Sequence, residues 1–218
     1  MPGTHNFWRP SLTGYAKSSP AEHRPAEKSL KIVVAGGFGA GKSTMVGAVS
    51  EIAPLSTEET ITTASTSTDS LAGVEAKTTT TVAMDFGRIT LPLQNVQLLL
   101  FGAPGQSRFL YIWDDLSLGA LGAVVLADTR RLADSFDVVA FFEKRAIPFV
   151  VAVNEFEGAP FQYTPDEVRE ALELPPAVPV LRCDAREKRS ARNVLLSLVE
   201  HAADTARATS PALQEVHS

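Results

Sequence analysis

Gly36-Gly37-Phe38-Gly39-Ala40-Gly41-Lys42-Ser43 satisfies the spacing G-x-x-x-x-G-K-[ST] at every required place. Glycines let a backbone curl until successive amides converge on phosphate oxygens, and the positive end of the following helix adds to the attraction. Lys42 can reach the outer phosphates of a nucleotide, and the Ser43 hydroxyl can ligate Mg²⁺. The flanks agree with the motif. The apolar run Leu30 to Ala35 enters it as a strand, and Lys42 to Ile52 leaves it as a helix, so the expected phosphate cradle spans Gly36 to Thr44.

Outward from the cradle, strands and helices alternate. Thr79 to Leu91 and Val96 to Phe101 read as strands, followed by buried strands at Leu121 to Ala127, Ile147 to Val153 and Val178 to Cys183. Helices are expected from about Arg131 to Arg145, after Thr164, and from Glu187 to Ala206. Thr164-Pro165-Asp166-Glu167 is a helix start with a mechanism: a cap residue, proline at the first helical position, and glutamate three residues after the cap. Near-continuous apolar strands alternating with helices predict an α/β fold, the three-layer arrangement of P-loop NTPases. We expect a mostly parallel six-stranded sheet with one antiparallel strand and helices on both faces. Residues 56 to 81 break the rhythm. This Ser/Thr-rich stretch without apolar periodicity reads as a flexible loop.

The chain has 218 residues, 20 Lys+Arg against 25 Asp+Glu, and a formal charge of −5. At roughly 150 residues per domain this is one domain with extensions. We divide it into a disordered tail (1–29), a folded nucleotide-binding domain (30–207) and a short flexible tail (208–218). The acidic balance gives no support for binding nucleic acid. A single cysteine, Cys183, excludes an intrachain disulfide framework, and the scattered His5, His23, His201 and His217 show no metal-ligand spacing. The longest apolar run, Leu118 to Ala127, is about half of what a membrane-spanning helix needs. No secretory, myristoyl or prenyl signal is legible, so a cytoplasmic protein with no direct membrane insertion is expected.

Four further segments bear on which nucleotide is bound. Asn154-Glu155-Phe156-Glu157 follows a buried strand where a guanine-selecting N-K-x-D element would lie. A carboxylate there accepts hydrogen bonds from the guanine ring nitrogen and amino group; Glu157 keeps that charge on a side chain one methylene longer. Cys183-Asp184-Ala185-Arg186 follows the last strand, where the Ala185 amide would meet the guanine oxygen and Arg186 would cover the base. Asn154 and Ala185 can also be read as turn residues, but their order relative to the cradle favours the base-reading role. Gly102-Ala103-Pro104-Gly105-Gln106 aligns with D-x-x-G-Q, with Gly102 in the aspartate's place. Gly105 can still offer its amide to a terminal phosphate and Gln106 can orient attacking water, while Asp85 is the candidate replacement carboxylate for the metal. In the fourth, Thr78-Thr79-Thr80-Thr81, a threonine can close over Mg²⁺ and the terminal phosphate, Thr81 first and Thr80 second; the run can also simply start a strand.

These motifs together resemble the Ras-like small GTPases over roughly residues 30 to 207. The threonine run followed by Val82-Ala83-Met84-Asp85-Phe86, with Phe101-Gly102-Ala103-Pro104-Gly105-Gln106-Ser107-Arg108-Phe109, looks more closely like the bacterial MglA-like branch. Within that branch it is most similar to the conservon (CvnD-type) GTPases of actinobacteria. The resemblance implies a GTP/GDP switch coupled to a roadblock-fold regulator and a sensor-kinase-like membrane protein. It also implies that Gln106 to Leu118 and the threonine loop form the face that partners read. Phe109, Tyr111, Ile112 and Trp113 either present apolar mass on that face or pack beneath it.

A slow regulatory GTPase is therefore the leading expectation. Lys42 and bound Mg²⁺ would neutralise charge, with Gln106 and Thr81 completing the catalytic set. Arg108 is a candidate finger or a solvated helix residue. A nucleotide-gated adaptor with little hydrolysis is the alternative that Gly102 favours, and a P-loop ATPase is a third.

Overall fold

Alternate residues of Lys28–Gly36, strand β1, serve two separate cores. Ile32 and Val34 pack to one side with Met45, Val46, Leu126, Ala152 and Leu198, whereas Val33 and Ala35 pack to the other with Val125, Val151, Trp113 and Phe142. A strand has period two, so a sheet buried on both faces needs apolar residues at successive positions. That requirement explains the unbroken runs Ala-Val-Val-Leu-Ala in one central strand and Phe-Val-Val-Ala-Val in its neighbour, all of them buried.

The computed structural model describes residues 28–62, 79–91, 95–105, 109–159 and 162–209, with backbone alone at 56–62, 79–83 and 110–111. Gln106, Arg108, Thr78 and nearly all of the two expected tails lie outside the described residues. After β1 come α1 (Lys42–Val49), β2 (Leu55–Thr62), β3 (Thr79–Leu91), β4 (Val96–Gly102) and α2 (Leu110–Ser117). The second half holds β5 (Ala120–Ala127), α3 (Asp134–Lys144), β6 (Phe149–Asn154), α4 (Pro165–Ala171), β7 (Val180–Cys183) and α5 (Lys188–Thr209). One sheet of order β2-β3-β4-β1-β5-β6-β7 runs through the middle. Among the described strands only β3 runs against the rest; it is antiparallel to both β2 and β4. Helices α1 and α5 cover one face, and α2, α3 and α4 the other. This is the three-layer P-loop NTPase fold expected.

All six expected strands are present. A seventh, β2, occupies the first part of the stretch read as a loop, pairing from Leu55↔Phe86 to Thr62↔Thr79. Its β-branched Thr57, Thr60, Ile61 and Thr62 favour an extended chain. As an edge strand it pairs on one side only, so Glu58 and Glu59 are tolerated and the apolar alternation that would reveal it is missing. The helix expected from Arg131 begins at Asp134, because Thr129–Arg131 forms a 3-10 turn capped by Asp128. The capping box of α4 is fully formed: the Thr164 side chain accepts from the Glu167 amide, and Glu167 accepts from the Thr164 amide at 2.7 Å.

Registers bring the carboxyl ends of the parallel strands to one edge. Val34 pairs with Gly102, Gly36 with Leu126, Ala127 with Val153, and Asn154 with Cys183. Ligands of open α/β sheets bind outside that edge. Among the described residues, no helix is long and apolar enough to cross a membrane.

Candidate nucleotide-binding site

The cradle leaves β1 and enters α1 through Gly41, whose φ of 102° lies in the left-handed region that favours glycine. A Cβ there would stand 2.5 Å from the Asn154 amide nitrogen, so the close approach of β6 also requires glycine. Lys42 folds over the loop, its ammonium donating to the carbonyls of Gly36 at 3.0 Å and Gly37 at 2.7 Å. Burial pulls the Lys42 pKa down to about 8, opposed by the Asp85 charge and aided by Arg131. Gly105 presses on the same ammonium: a Cβ at 105 would lie 2.6 Å from Lys42 Nζ. The backbone after β4 thus lies against the cradle.

Ser43 and Asp85 meet. The Ser43 hydroxyl donates to Asp85 Oδ2 at 2.5 Å, and Asp85 pairs in register with Gly102. A hydroxyl beside a carboxylate fits Mg²⁺, a hard cation that takes few protein ligands and fills its remaining positions with water and phosphate oxygens. No cluster of three or more His, Cys, Asp or Glu forms among the described residues, so an all-protein cage is not built here. Thr81 lies on the same strand as Asp85. Its backbone is held opposite Thr60 in the β2–β3 ladder, four residues before Asp85 and roughly 13 Å along a regular strand.

Asn154 and Ala185 make contacts that the sequence did not reveal. The Asn154 side-chain amide donates to the Ala40 carbonyl at 2.9 Å, and its oxygen accepts from the Ala185 amide at 3.0 Å. Both ends of this buried side chain brace the cradle against the loop after β7, and the Ala185 amide assigned to the guanine oxygen is engaged there instead. Glu157 stays at the surface, ion-paired to Arg186 at 2.6 Å, while Arg186 is also held by Asp184 at 2.8 Å. Glu155, in the usual lysine position, faces Arg182 at 3.7 Å. Gly39, Gly41, Thr44, Phe156, Glu157 and Arg186 are among the residues lining a cavity of about 150 Å³ at this end of the cradle.

Other contacts were not anticipated. Arg131, assigned to a helix, lies in the turn after β5 and donates to the Phe38 carbonyl. Asp128 is buried with 4% exposure; it caps that turn and grips Arg130 through both oxygens at 2.9 and 2.7 Å. The Arg130 guanidinium stacks 3.5 Å above the Phe156 ring. The signal available was position: Asp128-Thr129-Arg130-Arg131 directly follows a buried strand at the ligand-binding edge. Phe109 and Trp113 are buried, Trp113 against Phe141 and Phe142, which settles those two rings as packing. The Trp113 indole donates to the Pro104 carbonyl at 3.0 Å, linking α2 to the loop that holds Gly105.

A family model described as "Conserved hypothetical ATP binding protein" matches residues 34–205. No curated protein matches the chain. Solved structures do. The G domain of the T. maritima FeoB iron transporter is 18% identical, with a TM-score of 0.53 over 82% of this chain and 99% of that one. The FeoB G domain from Methanococcus jannaschii is 15% identical, with a TM-score of 0.54 over 81% and 99%. The cytosolic domain of T. maritima FeoB in a GDP form is 17% identical, with a TM-score of 0.56 over 80% of this chain and 63% of that one. The fold is that of a G domain.

Proposed function

We propose, for a chain that belongs to the family described as conserved hypothetical ATP binding protein, a guanine-nucleotide switch that slowly hydrolyses GTP to GDP and phosphate. The observation that carries the choice of base is the Glu157 carboxylate on the cavity beside Gly41 and Thr44. Guanine offers a ring N–H and an amino group to one carboxylate, a pattern adenine lacks. The family description favours ATP as a second reading.

Lys42 exchanges its two carbonyl partners for oxygens of the outer phosphates, a stronger charge-assisted contact. The Gly105 amide faces the terminal phosphate, and Gln106 orients the water that attacks it. Ser43 and Asp85 are the residues that would hold Mg²⁺, directly or through water, and the ion would neutralise charge on the bound phosphates. Asn154 keeps the cradle and the loop after β7 in fixed relation while the base binds.

The resemblance to MglA-like and conservon GTPases supports a signalling role in the cytoplasm, with a roadblock-fold regulator and a sensor-kinase-like membrane protein as partners. Calorimetry with a purified roadblock-fold protein tests that part: binding is expected in only one of the GDP and GTP-analogue states. For the nucleotide, the test is to denature purified protein, identify what is released, and compete GTP against ATP. Guanine nucleotides released, and GTP outcompeting ATP, are expected. Recovery of adenine nucleotides alone, with ATP binding more tightly, overturns the base assignment.

A further inference from the structure

The turn Thr129–Arg131 emerges from β5 at the same edge as the phosphate cradle, because Gly36 pairs with Leu126. It is a fixed turn: the buried Asp128 carboxylate accepts from the Arg130 amide at 3.0 Å. From it the Arg131 guanidinium reaches back over the cradle to the Phe38 carbonyl. Its Nη2 lies 3.4 Å from where a Cβ on Gly39 would stand, so the absent side chain leaves the approach open. Asp134 faces Arg131 Nε at 3.8 Å and itself abuts Gly37. Arg131 and Lys42 are therefore two cations on one glycine loop, both donating to its carbonyls, with Asp134 as a further partner of Arg131.

We propose that Arg131 is a cis-acting catalytic arginine, exchanging the Phe38 carbonyl for oxygens of the terminal phosphate and the β–γ bridge of the bound nucleotide. This rests on the hydrolytic reading above. A polyanion between two such cations outcompetes a peptide carbonyl, since an ionised acceptor adds full charge–charge attraction to the hydrogen bond. In the reaction the water oxygen bonds to the γ-phosphorus as the bond from that phosphorus to the bridging oxygen breaks. The electron pair stays on the diphosphate, and the proton released from water passes to the phosphate product and solvent. Charge thus accumulates on the bridging oxygen, where a guanidinium fork is the donor best shaped to receive it. Asp134 and the capped turn are positioning groups for that fork.

The test compares wild type, Arg131→Ala and Arg131→Lys in single-turnover hydrolysis, GDP affinity and assembly of a GDP–aluminium fluoride complex, on the full chain without any partner. Arg131→Ala is expected to slow hydrolysis by about 10³-fold or more and to abolish the fluoride complex. GDP affinity should stay within about 3-fold, because GDP lacks the terminal phosphate that draws the guanidinium off the Phe38 carbonyl. Arg131→Lys should not recover the rate, whereas added guanidinium ion should restore part of it to Arg131→Ala. A purely structural clamp on the cradle predicts the reverse: affinity falling with rate, and no rescue. Hydrolysis by Arg131→Ala at the wild-type rate, or loss of GDP affinity in proportion to rate, overturns the assignment alone. A wild-type protein that hydrolyses neither GTP nor ATP overturns the enzymatic reading with it.

Discussion

Asp85 stands across the β3–β4 ladder from Gly102, and a Cβ on residue 102 would lie 3.1 Å from the carboxylate oxygen that holds Ser43. The neighbouring strand thus places a carboxylate in the space a side chain at 102 would fill. Two carboxylates cannot share that space without steric and charge repulsion. Asp85→Ala should therefore raise the Mg²⁺ concentration needed to retain nucleotide by about 10-fold or more. Gly102→Asp alone should also impair retention, but combined with Asp85→Ala it should restore it. Magnesium titration of the release of a fluorescent GDP analogue reads all three variants. A double variant as poor as either single one would show that the two positions do not substitute for each other.

Asn154 makes a different prediction from that of a residue contacting the base. Asn154→Ala leaves the Ala40 carbonyl and the Ala185 amide without their partner, at about 1–3 kcal/mol for each buried polar group. The nucleotide-free protein should melt lower, by several degrees. Affinity should fall by a similar factor for guanine and adenine nucleotides, because the cradle itself loosens. A variant of unchanged melting temperature that loses only guanine selectivity would return Asn154 to the base.

The cradle, its strand and helix, and the Thr164 capping box were legible because each is a local pattern with one stereochemical solution. Asp85 could be named as a candidate replacement because Gly102 left a chemical deficit and β3 was the adjoining strand; its contact with Ser43 could not be read from spacing. β2 was hidden by its polar edge composition. The engagement of Asn154 and Ala185 was hidden for another reason: an amide side chain carries the same atoms whether it meets a base or the backbone. Arg131 was absorbed into a helix because its distinguishing feature is the direction in which the turn after β5 leaves the sheet, which sequence spacing does not encode.

Asp128 ties stability to pH. Burial alone would raise its carboxyl, but hydrogen bonds from the Arg130 guanidinium and amide, with the charges of Arg130 and Arg131, outweigh that and hold it below the usual carboxylate range. A carboxyl depressed in the folded state contributes stability that is present above its unfolded value of 3.8 and is lost as pH falls through the folded value. Asp128→Asn should thus destabilise the protein most at neutral pH, with the gap to wild type closing below about pH 4. Urea melts across that range check the sign. A gap that widens on acidification would contradict it.

Cys183 ends β7 in the core, and burial pushes its thiol up to about 11. At pH 8 its thiolate fraction is then on the order of 10⁻³. Alkylation of the native protein should be slow and should accelerate sharply across the urea transition, giving a single-site probe of unfolding free from competing thiols. Rapid labelling without denaturant would place β7 among the locally opening segments.

Trp113 offers an optical readout of the loop after β4. Its indole donates to the Pro104 carbonyl while its ring packs on Phe141 and Phe142, so α2 and the Pro104-Gly105 backbone move together or the bond breaks. Gly105 lies against Lys42, and a terminal phosphate that draws Lys42 off its carbonyls must also shift the Gly105 backbone. In a Trp8→Phe background, where Trp113 is the sole tryptophan, emission should differ between GDP and a non-hydrolysable GTP analogue. Trp113→Phe keeps an aromatic ring but removes the donor, costing about 1–3 kcal/mol and lowering the melting temperature. Identical spectra in the two nucleotide states would mean that loss of the terminal phosphate is not transmitted through Pro104, leaving the α2 face blind to it.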